Sequence, residues 1–192
     1  MRTIQIELPR ADLRWGAALG LLQAGFSMRA RAGISARAFM RETLGFPDAY
    51  IEGAVSTVFI DDSPVDDIDA ARLAEGSRIA LSAAMPGLVG AVMRRHSPYA
   101  ALRESISYRE RTGGADEGRL PEIRVGVKLF NSVMVDRGPE VLARGIHLGG
   151  EKAIEALQWL GIEDAAATMA PAGTIAAKND AEFLLRICEA PS

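Results

Sequence analysis

Three stretches of this chain alternate apolar and polar residues with a period of two, and that pattern limits the fold more than any other feature. In residues 3–8, Ile4, Ile6 and Leu8 fall on one side. In residues 77–83, Ile79, Leu81 and Ala83 do the same, and from residue 123 Ile123, Val125, Val127 and Leu129 alternate with Arg124, Gly126 and Lys128. Successive side chains of a strand point to opposite faces, so such runs belong in a sheet with one face buried. Pro9 stops the first run. The third is expected to continue through Val133 and Val135, as one long strand or as a tight hairpin around Asn131-Ser132. Residues 54–60 are rich in β-branched side chains and read as a buried strand. Asp61-Asp62-Ser63-Pro64 supplies the turn after it, and Glu75-Gly76 turns the chain into the strand at 77–83.

Helical signals lie between these runs. Residues 11–24 carry Trp15, Leu19, Leu22 and Phe26 near one stripe, and Gly16 and Gly20, four apart, would let another backbone approach closely. A helix at 35–44 has Ser35 as its cap, Phe39, Met40 and Leu44 as its apolar stripe, and Gly45 and Pro47 as its stop. Gly138-Pro139 is expected to open a short helix that Gly145 ends, followed by a short strand at Ile146-His147-Leu148. Gly149-Gly150-Glu151 launches a helix to Leu160, with Gly161 as its stop. Asn179 with Glu182 three residues on resembles a capping box, which predicts a last helix over 180–188. No internal repeat stands out.

These elements predict an α+β fold, with residues 1–95 as one domain and 122–192 as a smaller α/β unit. Between them, 96–121 reads as a linker or mobile loop, because Arg, Glu, Ser and Gly dominate it and Thr112-Gly113-Gly114-Ala115-Asp116-Glu117-Gly118 has the least structured composition of the chain. Residues 103–110 could hold a helical turn or two. The alternative is one continuous domain in which 123–135 completes the N-terminal sheet.

Charge and cysteine usage exclude several classes. The net charge is −3, so no global basic field exists to gather nucleic acid or an anionic membrane. Cys188 is the only cysteine, which forbids an intramolecular disulfide and fits a reducing cytoplasm. The most apolar run, Ile79 to Met93, is broken by Pro86, Gly87 and Gly90 and is too short for a bilayer roughly 30 Å thick. Of the 22 basic residues only Lys128, Lys152 and Lys178 are lysines, which reads as coding bias.

Few residues gather into a chemical pattern. Asp61, Asp62, Asp66, Asp67 and Asp69 offer oxygen ligands but lack the glycine and distal glutamate of a calcium loop, so they read as a solvated hairpin. His96 and His147 have no cysteine beside them and read as ordinary surface or partly buried histidines. Cys188 has no base at readable spacing. Arg29, Arg31, Arg37 and Arg41 form a local basic face without the interleaved aromatics of a nucleic-acid site. Arg94-Arg95-His96-Ser97-Pro98 reads as a solvated turn closing the first domain, with a modification site or anion contact as the alternative its basic, proline-flanked context offers. Gly149-Gly150 is similar to a phosphate-cradling turn at a helix N-terminus, but no Gly-Lys-Ser/Thr follows and Glu151 puts a negative charge where an anion would sit, so it reads as a turn with a dipole-complementing Glu.

Residues 51–90 carry a further pattern: Val58-Phe59-Ile60-Asp61-Asp62-Ser63-Pro64, then Leu73-Ala74-Glu75-Gly76-Ser77-Arg78-Ile79-Ala80-Leu81, then Met85-Pro86-Gly87-Leu88-Val89-Gly90. This resembles the C-terminal half of ubiquitin-like β-grasp sulfur carriers of molybdopterin and thiamine synthesis, with the helix at 35–44 where their central helix sits. The resemblance implies a β-grasp-like N-terminal domain. Sulfur carriers end in a free Gly-Gly, whereas here the stretch reads Gly87-Leu88-Val89-Gly90-Ala91 and the chain runs on. The expected function is therefore a non-catalytic binding or scaffold protein that uses a β-grasp surface to hold a protein partner. The alternative is a sulfur-carrier relative or precursor. A third reading is an enzyme whose site is assembled from scattered Arg and Asp residues. No catalytic set, metal site or cofactor is assigned. The binding candidates are Gly87, Gly90, Arg94, Arg95, Gly149 and Gly150, and the sheet edges suggest a homo-oligomer. Leu88 and Val89 are expected to be ordered and mostly buried, with Gly90 no processing site.

Overall fold

The computed structural model describes residues 2–9, 11–99, 101–103, 108, 121–162 and 182–190. Among the described residues eight strands form one mixed sheet: β1 (Arg2–Leu8), β2 (Phe26–Arg31), β3 (Thr57–Ile60), β4 (Ser63–Pro64), β5 (Arg78–Ser82), β6 (Glu122–Leu129), β7 (Ile146–Gly149) and β8 (Glu182–Glu189). Their spatial order is β1-β8-β7-β2-β6-β5-β3-β4. The pairs β1–β8 and β5–β6 are parallel and the other neighbours antiparallel. The helices are α1 (Arg14–Ala24), α2 (Ala36–Ala38, continued by a π-helical turn over Phe39–Thr43), α3 (Asp48–Gly53), α4 (Gly87–Met93), α5 (Asn131–Arg144) and α6 (Gly150–Trp159). Among the described residues no helix is long and apolar enough to cross a membrane.

The alternation works as expected. Ile123, Val125, Val127 and Leu129 of β6 point into the core, while Glu122, Arg124 and Lys128 are exposed and Gly126 half-buried. Each buried aliphatic side chain contributes roughly 1.5–3 kcal/mol. β2 repeats the pattern, with Phe26, Met28 and Ala30 inward and Ser27, Arg29 and Arg31 outward. Helices α1, α5 and α6 pack on the buried side. On the opposite side, Ser27, Phe59, Ala80 and Gly126 are half-buried among the described residues.

Local signals placed several elements correctly. Ser35 Oγ accepts a hydrogen bond from the Ala38 amide at 3.1 Å and starts α2. Asp61 and Asp62 take positive φ (49° and 66°) and form the two-residue loop between β3 and β4. Gly161, at φ 71°, follows α6.

Other expectations fail for physical reasons. The alternation from residue 123 ends at Leu129. Asn131, at φ 54°, opens α5, so Val133 and Val135 are helical and Gly138-Pro139 lies inside the helix rather than at its start. Residues 182–189 form a strand and not the last helix, because Phe183, Leu185 and Ile187 fill one face between β1 and β7. Asn179, Lys178, the Thr112–Gly118 segment and most of 103–110 lie outside the described residues. β2 and α3 have no counterpart in the sequence reading. β6, placed there at the head of a C-terminal unit, is hydrogen-bonded between β2 and β5. Leu88 and Val89 are 69% and 70% exposed, against expectation, because α4 turns that face outward and buries Gly90.

The helix contacts decide where glycine matters. Gly16 and Gly20 of α1 face open space, so the expected close approach is not made there. It is made by Gly138 of α5, where a Cβ would lie 2.4 Å from Leu19 Cδ2 and 2.9 Å from Leu22 Cδ1. Gly20→Ala should therefore raise stability by about 0.5–1 kcal/mol through helix propensity, while Gly138→Val lowers it by about 1–3 kcal/mol through overpacking. Paired denaturant titrations of the two variants measure both signs.

Candidate functional site

The open face of the sheet holds a cavity of about 260 Å³. Its floor follows from register. Ser27 of β2 lies opposite His147 of β7 and opposite Gly126 of β6. Gly126 lies beside Arg78 of β5, Lys128 beside Ala80, and Ala80 opposite Phe59 of β3. Ser27, Gly126 and Ala80 are small, so the centre of the face is a trough between the larger groups at its ends. Gly25, at φ 109°, ends α1 and passes beneath Lys128, since a Cβ there would sit 3.2 Å from Lys128 Cε. Gly149 and Lys152 line the trough where α6 begins.

Charge distributes unevenly across this face. Arg29 and Arg124 stand directly opposite each other on β2 and β6, an arrangement that repels unless compensated. Glu182 compensates it, bridging Arg29 at 2.6 Å and Arg124 at 3.0 Å, and Glu122 adds a second contact to Arg29 at 3.0 Å. Burial pushes the Glu182 carboxyl up, but the Arg29 hydrogen bond and the charges of Arg124 and Arg29 outweigh it and hold the group below its ordinary range. Arg78 pairs with Asp62 at 2.5 Å. Lys128 and Lys152 have no ion pair among the described residues.

His147 sits at the boundary between the charged network and the cavity. It is 9% exposed. Its Nδ1 lies 3.2 Å from Glu182 Oε1, within ion-pair reach, yet the alignment makes no hydrogen bond and leaves the buried nitrogen unsatisfied. Burial lowers the imidazole pKa, the Glu182 charge opposes this, and Arg29 and Arg124 reinforce it, so the ring is neutral at neutral pH.

The N-terminus of α6 faces the same space. Its cap residue Gly149 has no side chain to satisfy the first amides. Lys152 occupies the first turn, where the helix dipole disfavours a cation. Glu151 is exposed and does not line the cavity, so the charge counted against an anion is elsewhere.

Of the residues singled out in the sequence, Gly149 lines this cavity. Gly150 is buried as the first residue of α6. Gly87, Gly90, Arg94 and Arg95 are in and after α4 and do not line it. Gly90 is packed so tightly that a Cβ would lie 2.2 Å from the Met85 carbonyl oxygen. Arg94 is exposed, whereas Arg95 is buried, donating to the carbonyls of Val55 at 3.1 Å and Ile51 at 3.4 Å and to Glu52 at 3.2 Å, which closes the end of α3. Ser97 is buried, its Oγ accepting from the Tyr99 amide. The aspartates are engaged within the fold: Asp61 accepts from the Arg78 amide, Asp66 from Arg103, Asp67 from the Asp69 and Ala70 amides, and Asp69 from Arg37. The basic face read at Arg29, Arg31, Arg37 and Arg41 is divided between β2 and the α2 segment, and each of the four is paired with an acid.

The sequence reading missed Ser27, Phe59, Gly126, Lys128, His147 and Lys152 as a group. One signal was present. Lysine is rare in this chain, and two of the three lysines meet in one cavity. Compared with family models, with curated proteins and with solved structures, the chain matches none.

The depressed His147 pKa fixes a pH dependence. Above about pH 6.5 the residue is neutral in both states and costs nothing; below it the unfolded chain takes up the proton first, so stability falls as pH drops toward the folded pKa. Thermal melts between pH 7.5 and 5.5 should show this loss in the native protein and a smaller one in His147→Gln.

Proposed function

We propose that the chain is a binding protein whose open sheet face holds an anionic ligand, free or presented by a partner protein. The observation that carries this reading is the convergence on one cavity of an uncapped helix N-terminus and two lysines that have no ion pair among the described residues, beside arginines that are already neutralised. Helix amides and their dipole attract anions, and a nearby ammonium adds Coulombic attraction that the paired arginines cannot supply.

A β-grasp-like reading of the sub-sheet β2-β6-β5-β3-β4 accompanies this proposal. A β-grasp sheet wraps one helix and has a parallel central pair flanked by antiparallel strands. What supports the reading is that β5 and β6 are parallel, β2 and β3 flank them antiparallel, and α2 lies in the connection from β2 to β3. The order along the chain is permuted, because β6 follows β5 where the corresponding strand would precede β2. The sulfur-carrier alternative would require Met85–Gly90 to serve as an extended tail, and here that segment enters α4 with Gly90 buried.

Titration calorimetry with inorganic phosphate, pyrophosphate and citrate tests the anion reading. The native protein should bind at least one of them, more weakly as salt rises, and Lys128→Gln with Lys152→Gln should weaken binding at least tenfold, about 1.4 kcal/mol. Equal isotherms for the native and doubly substituted proteins would reject it.

A further inference from the structure

The trough is longer than a simple anion needs, and its two ends differ in chemistry. Five strands, β7 to β3, contribute to it, so four steps of about 4.8 Å span roughly 19 Å across the strands. One end carries Lys152, Gly149 at the α6 N-terminus and His147. Lys128 stands in the middle, two strand positions from Phe59. The far end carries the half-buried Phe59 ring on the Ala80 floor, rimmed by the Arg78–Asp62 pair.

The cavity's cations without an ion pair among the described residues are both lysines. A guanidinium fork matches a planar carboxylate in bidentate fashion, whereas ammonium groups act as point charges and combine with helix amides around a tetrahedral anion. Phosphate suits this end better than carboxylate. His147 lines the same end and is nine-tenths buried; its Nδ1, 3.2 Å from Glu182 Oε1, makes no hydrogen bond among the described residues. A ligand hydroxyl or phosphate oxygen would give the part of the ring that lines the cavity a hydrogen-bonding partner. At the other end an aromatic ring above small side chains offers room and a stacking surface for a flat ring, while Arg78 and Asp62 offer a donor and an acceptor at its edge.

Resting on the anion reading above, we infer that the ligand is a phosphorylated molecule bearing a planar ring. Its phosphate sits among Lys128, Lys152 and the α6 amides, and its ring lies against Phe59.

Ribose 5-phosphate and the monophosphates of adenosine, guanosine, cytidine and uridine separate the two halves of the site, because all carry the same phosphate and only the nucleotides carry a ring. At least one nucleotide should bind tenfold or more tightly than ribose 5-phosphate. Phe59→Leu, which keeps the bulk of the side chain, and Phe59→Ala should each abolish that advantage and leave ribose 5-phosphate binding unchanged. Lys128→Gln with Lys152→Gln should weaken all of them together. Binding of ribose 5-phosphate equal to that of every nucleotide, or nucleotide binding indifferent to both Phe59 variants, would overturn the ring seat and leave the anion site standing. Failure of every phosphorylated probe together with phosphate and pyrophosphate would overturn both.

Discussion

Strand β6 is hydrogen-bonded on one edge to β2 over Glu122–Val127 and on the other to β5 over Gly126–Leu129, and the rest of the structure depends on that double ladder. Without it the sheet would divide into β1-β8-β7-β2 and β5-β3-β4, each with an unprotected edge. Its four inward residues meet the main core, and its outward residues occupy the middle of the open face. Closing the connection between β5 and β6 carries an entropic cost, but that cost grows only logarithmically with loop length, so a long connection between neighbouring strands is tolerated. The position of β6 is also what makes Gly126 the centre of the trough and Lys128 its cation.

An eight-stranded sheet covered on one side must manage the charge of the other. Here the outward arginines of β2 and β6 stand opposite one another, and Glu122 and Glu182 neutralise them. Similar pairing occurs around α2, where Arg37 contacts Glu52 and Asp69. Exposed pairs of this kind contribute little to stability singly, and their main effect is to leave the surface without excess basic charge. Within the cavity, Lys128 and Lys152 are the cations without an ion pair among the described residues. Each sits where local structure does not need it: Lys152 works against the α6 dipole, and Lys128 crosses a glycine that leaves it room. Under the proposed function, an anionic ligand is their partner.

Two regions show how far short-range signals reach. Within Val58–Leu81 the strands at 57–60 and 78–82 and the Glu75-Gly76 turn were legible, because each is settled by immediate neighbours, while Ser63-Pro64, read as part of the turn, pairs as β4. The segment after it was misjudged. Leu88 and Val89 continue an apolar run and would ordinarily be buried, but α4 begins at Gly87 and its tight Gly90–Met85 contact fixes the other side of the helix inward. The same limit applies to residues 182–189. A capping-box resemblance suggested a helix, whereas a gap between β1 and β7 required a strand, and Phe183, Leu185 and Ile187 satisfy the strand period equally well.

By itself the sequence determined which segments could be strands with one wet face, where several helices begin and stop, and that no disulfide can form within the chain, because these depend on residues a few positions apart. Only the tertiary structure decided the strand order. Backbone ladders between strands carry no residue code of their own, and partners are selected by how whole faces pack. That order brings Ser27, Phe59, Gly126, His147 and Lys152, drawn from across 126 positions of the chain, onto one trough. It also turned a histidine that read as ordinary into a buried, neutral one, since its environment comes from Glu182, Arg29 and Arg124 on three other strands. The chemistry of the site is a property of adjacency across the sheet, which no local pattern in the chain encodes.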